Sequence, residues 1–132
     1  MAVTKTIIKM NHNEAIVKIV NDAATSGTAT ITLAVDLLND NEELFGGAPQ
    51  VNIGAQETAV SVGNEITIVR NGAVIMQMFE NTDGNEMPWG ADTQNNTADI
   101  VVNFTGKSTI YLRLLKFKGY RPKFRPEQGV NL

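Results

Sequence analysis

Along most of this chain apolar and polar positions alternate with a period of two, and no segment sustains the spacing of a long amphipathic helix. The strongest stretch runs from Asn64 to Glu80, where two β-rich runs flank Asn71-Gly72. Asn-Gly between alternating apolar runs is a strong hairpin signal. A three-residue loop, Arg70 to Gly72, opposes Glu65 to Gln77, Ile66 to Met76 and Ile68 to Val74, with Gly72 as the left-handed residue. That pairing predicts Ile66, Ile68, Val74 and Met76 on one face and Thr67, Val69, Ala73 and Ile75 on the other. Arg70, at the tip, becomes a candidate contact.

The same reading extends to the rest of the chain. Thr4 to Asn11 and Glu14 to Val20 form a first hairpin about Asn11-His12-Asn13, with Ala15, Val17 and Ile19 on one side. Thr28 to Val35 alternates most cleanly, placing Ala29, Ile31, Leu33 and Val35 toward a core. Asp36 to Gly47 breaks the pattern, and its Leu37, Leu38, Leu44 and Phe45 suit a helical turn or an apolar loop that closes one end of the sheet. Gln50 to Ile53 and Glu57 to Val62 are two short strands, the first near an edge because Pro49 precedes it. Asn81 to Thr97 reads as one long polar loop with Met87 and Trp89 as its main apolar members, a length that marks functional or mobile segments. Asp99 to Thr105 and Ser108 to Phe117 read as a last hairpin across Gly106-Lys107, its second strand central with both faces covered.

About eight short strands with polar turns indicate an all-β fold, an antiparallel β-sandwich or a jelly-roll-like barrel. The expected division is a domain over residues 1–118 and an extended arm over 119–132. At 132 residues the chain can bury roughly two thirds of the surface its unfolded form exposes, enough for one core. With no Cys, disulfides, thiolate zinc sites and cysteine nucleophiles are excluded. The first residues lack the apolar run of a secretory signal and no stretch approaches a membrane span, so the expectation is a soluble protein made without a signal.

Charge sharpens the picture at one end. From Lys107 onward seven basic residues face one acidic residue, a net of +6, while the remainder holds four basic against thirteen acidic, a net of −9. Such a division predicts a basic arm that meets an acidic surface on a neighbouring copy or a larger partner. Within the arm, Tyr120, Arg121, Lys123, Phe124 and Arg125 interleave aromatic and basic side chains, and Pro122 and Pro126 keep it extended. These residues suit an anchor across a protein interface, with Trp89 and Met87 of the long loop as further contacts. Nucleic acid ranks below protein as a partner because the acidic remainder repels phosphate.

Little else carries chemistry. His12 sits between two asparagines in a turn and has no catalytic partners in sequence. Asn81 to Glu86 faintly resembles a calcium loop but lacks its alternating acidic positions and closing bidentate Glu. Asp36, Asp40, Glu42 and Glu43 read as a solvated acidic surface. Nucleophile elbows, phosphate-binding glycine loops and zinc-protease helices are missing from the sequence, so neither an enzyme nor a metal or other cofactor is expected. Two glycosylation sequons, at Asn95 and Asn103, carry no weight without a secretory signal.

Met1 to Asn11, Asp99 to Phe104, and Tyr111 to Lys116 with Gly119-Tyr120 resemble small virion structural proteins of tailed bacteriophages, especially those of marine cyanobacterial phages. The resemblance covers about half the chain and includes no catalytic motif. It implies a non-enzymatic phage particle protein, made in the host cytoplasm. The foremost expectation is a capsid decoration or cement protein, homo-oligomeric on the particle and bound to the major capsid protein or other virion proteins. The alternative is a neck, tail or fibre component with a ligand- or glycan-binding β-module that uses Trp89. On the first reading, deletion from Gly119 onward spares the sheet and abolishes particle binding.

Overall fold

A computed structural model describes residues 3–11, 13–79 and 97–123. Among the described residues every regular element is a strand. One antiparallel sheet has the order β1 (Val3–Met10), β2 (Glu14–Asn21), β9 (Ser108–Lys118), β5 (Gln50–Val60). The other has the order β3 (Gly27–Ile31), β8 (Ile100–Phe104), β6 (Glu65–Arg70), β7 (Ala73–Phe79). A two-stranded ribbon pairs β4 (Glu42–Leu44) with β10 (Tyr120–Pro122). Ala15, Val17, Ile19, Ile110, Leu112 and Leu114 of the first sheet share one core with Ile66, Ile68, Ile100, Val102 and Phe104 of the second. The fold is a β-sandwich, without barrel closure among the described residues. The chain crosses between the sheets from β2 to β3, from β3 by way of the ribbon strand β4 to β5, from β5 to β6 and from β8 to β9, a winding of the jelly-roll kind.

The first hairpin forms as expected, with Ala15, Val17 and Ile19 fully buried. The Asn64 to Glu80 hairpin forms in a different register. Asn71 and Gly72 both have positive φ, 51° and 77°, so the loop has two residues and Arg70 pairs with Ala73. Asn tolerates the left-handed region, and two such residues match the twist of the flanking strands. Ile75 is then the extra residue of a bulge, so Ile66 faces Met78 and Ile68 faces Met76. Met78 joins the core, and Val74, expected on the face of Ile66 and Ile68, is exposed.

Arg70 corrects its assignment as a tip contact, since it is fully buried. Its guanidinium donates to the Ala98 carbonyl through Nε at 3.0 Å and Nη2 at 2.6 Å, and to the Val51 carbonyl through Nη1 at 2.7 Å. It thereby ties the segment entering β8 to β5 in the opposite sheet.

Three other expectations change. β3 ends at Ile31 because the Asp36 carboxylate accepts from the Thr32 N–H at 2.7 Å, while Asp99 accepts from the Leu33 N–H at 3.0 Å. Leu33 and Leu37 still reach the core from the turn that follows, and Val35 is exposed. The two short strands expected after Pro49 are one edge strand, β5, bulged at Gly54, where an added Cβ would lie 3.0 Å from Leu115. β8 and β9 are not a hairpin, because β8 pairs with β3 and β6, and β9 with β2 and β5. Each carries one apolar stripe, and the stripes bury each other from opposite sheets. Gly106 makes that corner, where an added Cβ would meet the Asn64 side chain at 2.5 Å. β9 is central as expected, but Tyr111 and Phe117 on its other face are exposed.

Candidate docking surface

The β4–β10 ribbon closes one end of the sandwich, and its inner side is polar. Lys116 continues the inward series Ile110, Leu112, Leu114 on β9, so the period of two sends an ammonium group into the interior. A buried charge requires a partner. Lys116 Nζ forms a buried ion pair with Glu42 of β4 and donates to the Asn11 carbonyl at 3.1 Å. Glu42 also accepts from the Asn39 N–H at 3.1 Å. The Lys116 ammonium lies 4.5 Å from the centroid of the Tyr120 ring, a desolvated cation–π contact.

Tyr120 corrects its assignment as an exposed anchor. Its ring is buried, and its hydroxyl donates to the Leu33 carbonyl at 2.6 Å. Burial raises its pKa well above the usual tyrosine value, helped by the negative charges of Glu42 and Asp99 and opposed by the positive charge of Arg70. The folded state therefore holds the phenolic proton more tightly than the unfolded chain. This contribution to stability is fully present below the unfolded value of 10.0 and is lost as pH rises from there toward the folded value. Alkaline titration of stability should show a fall above that pH, weakened in Tyr120→Phe, which loses about 1 kcal/mol at neutral pH. An identical alkaline limb in the variant would show that Tyr120 is not its source.

The outer side of the ribbon has a different character. Arg121 pairs with Glu43 through Nε at 2.7 Å and Nη2 at 2.6 Å, and its guanidinium sits 4.1 Å from the Phe45 ring centroid. Phe45 is an exposed large apolar residue, and Leu44, opposite Tyr120 in the register, is partly exposed at the ribbon's edge. Beside it a shallow concavity, whose lining includes Leu38, Asp40, Glu43, Leu44 and Lys123, reaches Glu42 of the buried pair. The backbone holds this edge in place, with the Phe45 N–H donating to the Gly119 carbonyl at 2.9 Å and the Lys123 N–H to the Asn41 carbonyl at 2.7 Å.

Comparison of the chain with family models, curated proteins and solved structures found no match. Its own geometry is therefore the basis for a functional reading. No described helix is long and apolar enough to cross a membrane, and no group of three or more potential metal-ligating side chains occurs among the described residues.

Of the residues expected to meet a partner, Arg121 and Lys123 lie on the outer side of the ribbon and Tyr120 on its inner side. Phe124, Arg125, Trp89 and Met87 fall outside the described residues, as do His12 and the calcium-like stretch from Asn81 to Glu86. The acidic cluster is not uniformly solvated. Glu42 is buried against Lys116, Asp36 pairs with Lys5 at 2.6 Å, and Glu43 pairs with Arg121. The division of charge is also used within the chain, since Arg113 pairs with Glu14 at 3.2 Å in addition to the Lys116 and Arg121 pairs. Sequence reasoning missed Phe45 and Leu44 as surface groups and Lys116 as the buried root. Only Lys116 carried a signal, as a cation at an inward position of an alternating strand.

Proposed function

We propose that this chain is a non-enzymatic structural protein of a phage particle, a capsid decoration or cement protein that docks through the outer side of the β4–β10 ribbon and the residues that follow it. The observation that carries the reading is the two-sided ribbon. Tyr120, Glu42 and Lys116 fix it inward, while Phe45, Arg121 and Lys123 are presented on the other side, ahead of Phe124 and Arg125 in the sequence. Aromatic and arginine side chains on a rigid support are the groups that contribute most at protein interfaces, because little flexibility is lost on binding. The resemblance of both chain ends to virion structural proteins supports the same reading.

The mechanism is linkage. A protein that binds the assembled shell and not its free subunits stabilises the shell by the free energy of that binding, and repeated copies add avidity. The partner is the major capsid protein or another virion protein. Co-sedimentation with assembled heads of the phage that carries the gene tests this, and the expected outcome is binding to heads and not to free capsid subunits.

A further inference from the structure

We propose that β10 is exchanged between two copies of this chain, with Gly119 as the hinge. The contacts divide at that residue, whose own carbonyl accepts from the Phe45 N–H. Every group that receives β10 precedes it: the Leu33 and Asn41 carbonyls, strand β4, Phe45 and the Lys116 ammonium. Every inserted group follows it: Tyr120, Arg121, Pro122 and Lys123. The same set of contacts therefore forms whether β10 comes from its own copy or from a second one. The Glu42–Lys116 pair stays within each copy and keeps the receiving site formed.

The hinge is as short as a hinge can be. β9 ends at Lys118 and β10 begins at Tyr120, so the reversal falls on one residue with φ +98°. A Cβ at that position would lie 2.5 Å from the Pro49 Cα, which makes the closed form dependent on glycine. Short hinges under such constraint invite exchange, because opening them lets the strand run on. An extended Gly119 continues β9 into β10 and carries Tyr120 and Arg121 away from their own ribbon site. Charge supports the insertion equally in either form, since Arg121 and Lys123 enter a site bearing Asp40 and Glu43. With equal contacts in both forms, concentration sets the balance, and copies arrayed side by side would favour exchange.

The inference goes beyond the docking reading, and its test uses the purified chain alone. Arg121 and Glu43 are paired neighbours across the ribbon, and the chain has no cysteine of its own. Glu43→Cys and Arg121→Cys chains are unfolded and refolded together, then oxidised. A disulfide between them forms at the ribbon only if β10 of one chain occupies the site of the other. The expected result is a covalent dimer several-fold above that of a control mixture of Arg121→Cys with Thr28→Cys, which places the thiol on an exposed strand position of the second sheet. Adding Gly119→Ala to the Arg121→Cys chain should raise the yield further. A yield no higher than the control, with the native hinge, overturns the proposal whether or not the alanine variant folds. Particle binding can fail without affecting this result, and exchange can fail without affecting particle binding.

Discussion

Lys116→Met should destabilise the fold by about 3 to 5 kcal/mol, the usual cost of removing one partner from a buried ion pair. The loss arises from what stays behind. Glu42 keeps its carboxylate in the interior beside Tyr120, and the Asn11 carbonyl loses a donor. Removing both charges, as in Glu42→Leu/Lys116→Met, should recover most of the loss, because similar apolar volume replaces the pair and the desolvation cost disappears for both groups. Urea unfolding measures both effects as shifts in midpoint at constant slope. A single variant that loses less than about 1 kcal/mol would mean that Glu42 is not buried as a charge, since exposed pairs contribute no more than that.

Arg70→Ala is the second large effect, with an expected loss of about 3 to 4 kcal/mol, because charge-assisted hydrogen bonds contribute roughly 1.5 to 3 kcal/mol each and are not additive. The Ala98 and Val51 carbonyls lose the donors that join the two sheets. Arg70→Lys keeps the charge but not the planar fork that spans both carbonyls, and should retain less than half of the stabilisation. Hydrogen exchange should locate the weakening at the start of β8 and around Val51. Full stability in Arg70→Lys would show that charge, and not the fork, is what the site requires.

These two residues show where the sequence was legible and where it was not. Ala15, Val17 and Ile19 could be placed together on one face because alternation on a pleated strand has one interpretation, and that face is the buried one. Alternation does not say which sheet a strand joins, so β8 and β9 read as a hairpin while they bury their stripes against each other from opposite sheets. Nor does it show a bulge, which is why Ile75 displaced the pairing expected for Val74 and Met76. Arg70 follows the inward series of Ile66 and Ile68, as Lys116 follows Leu114, and in both the strand period overrode the preference of a charged group for water.

The candidate surface was legible in part. Aromatic and basic residues near the end of the chain marked the right segment, but composition could not separate Tyr120, which faces inward, from Arg121, which faces out. The expected boundary before Gly119 takes on a different meaning as a result. Deletion from that point removes a buried ring and its bond to Leu33, so it tests stability as much as docking. A chain ending at Lys123 keeps the Tyr120, Arg121 and Lys123 contacts described above and loses the residues from Phe124 on.

Co-sedimentation of the full chain and of Phe45→Ala/Lys123→Glu with assembled phage heads and with free capsid subunits tests the docking account most directly. The account predicts that the full chain sediments with heads alone and that the variant, folded as judged by its urea transition, remains in the supernatant. Equal sedimentation of both chains, or of the full chain with free subunits as with heads, would contradict it.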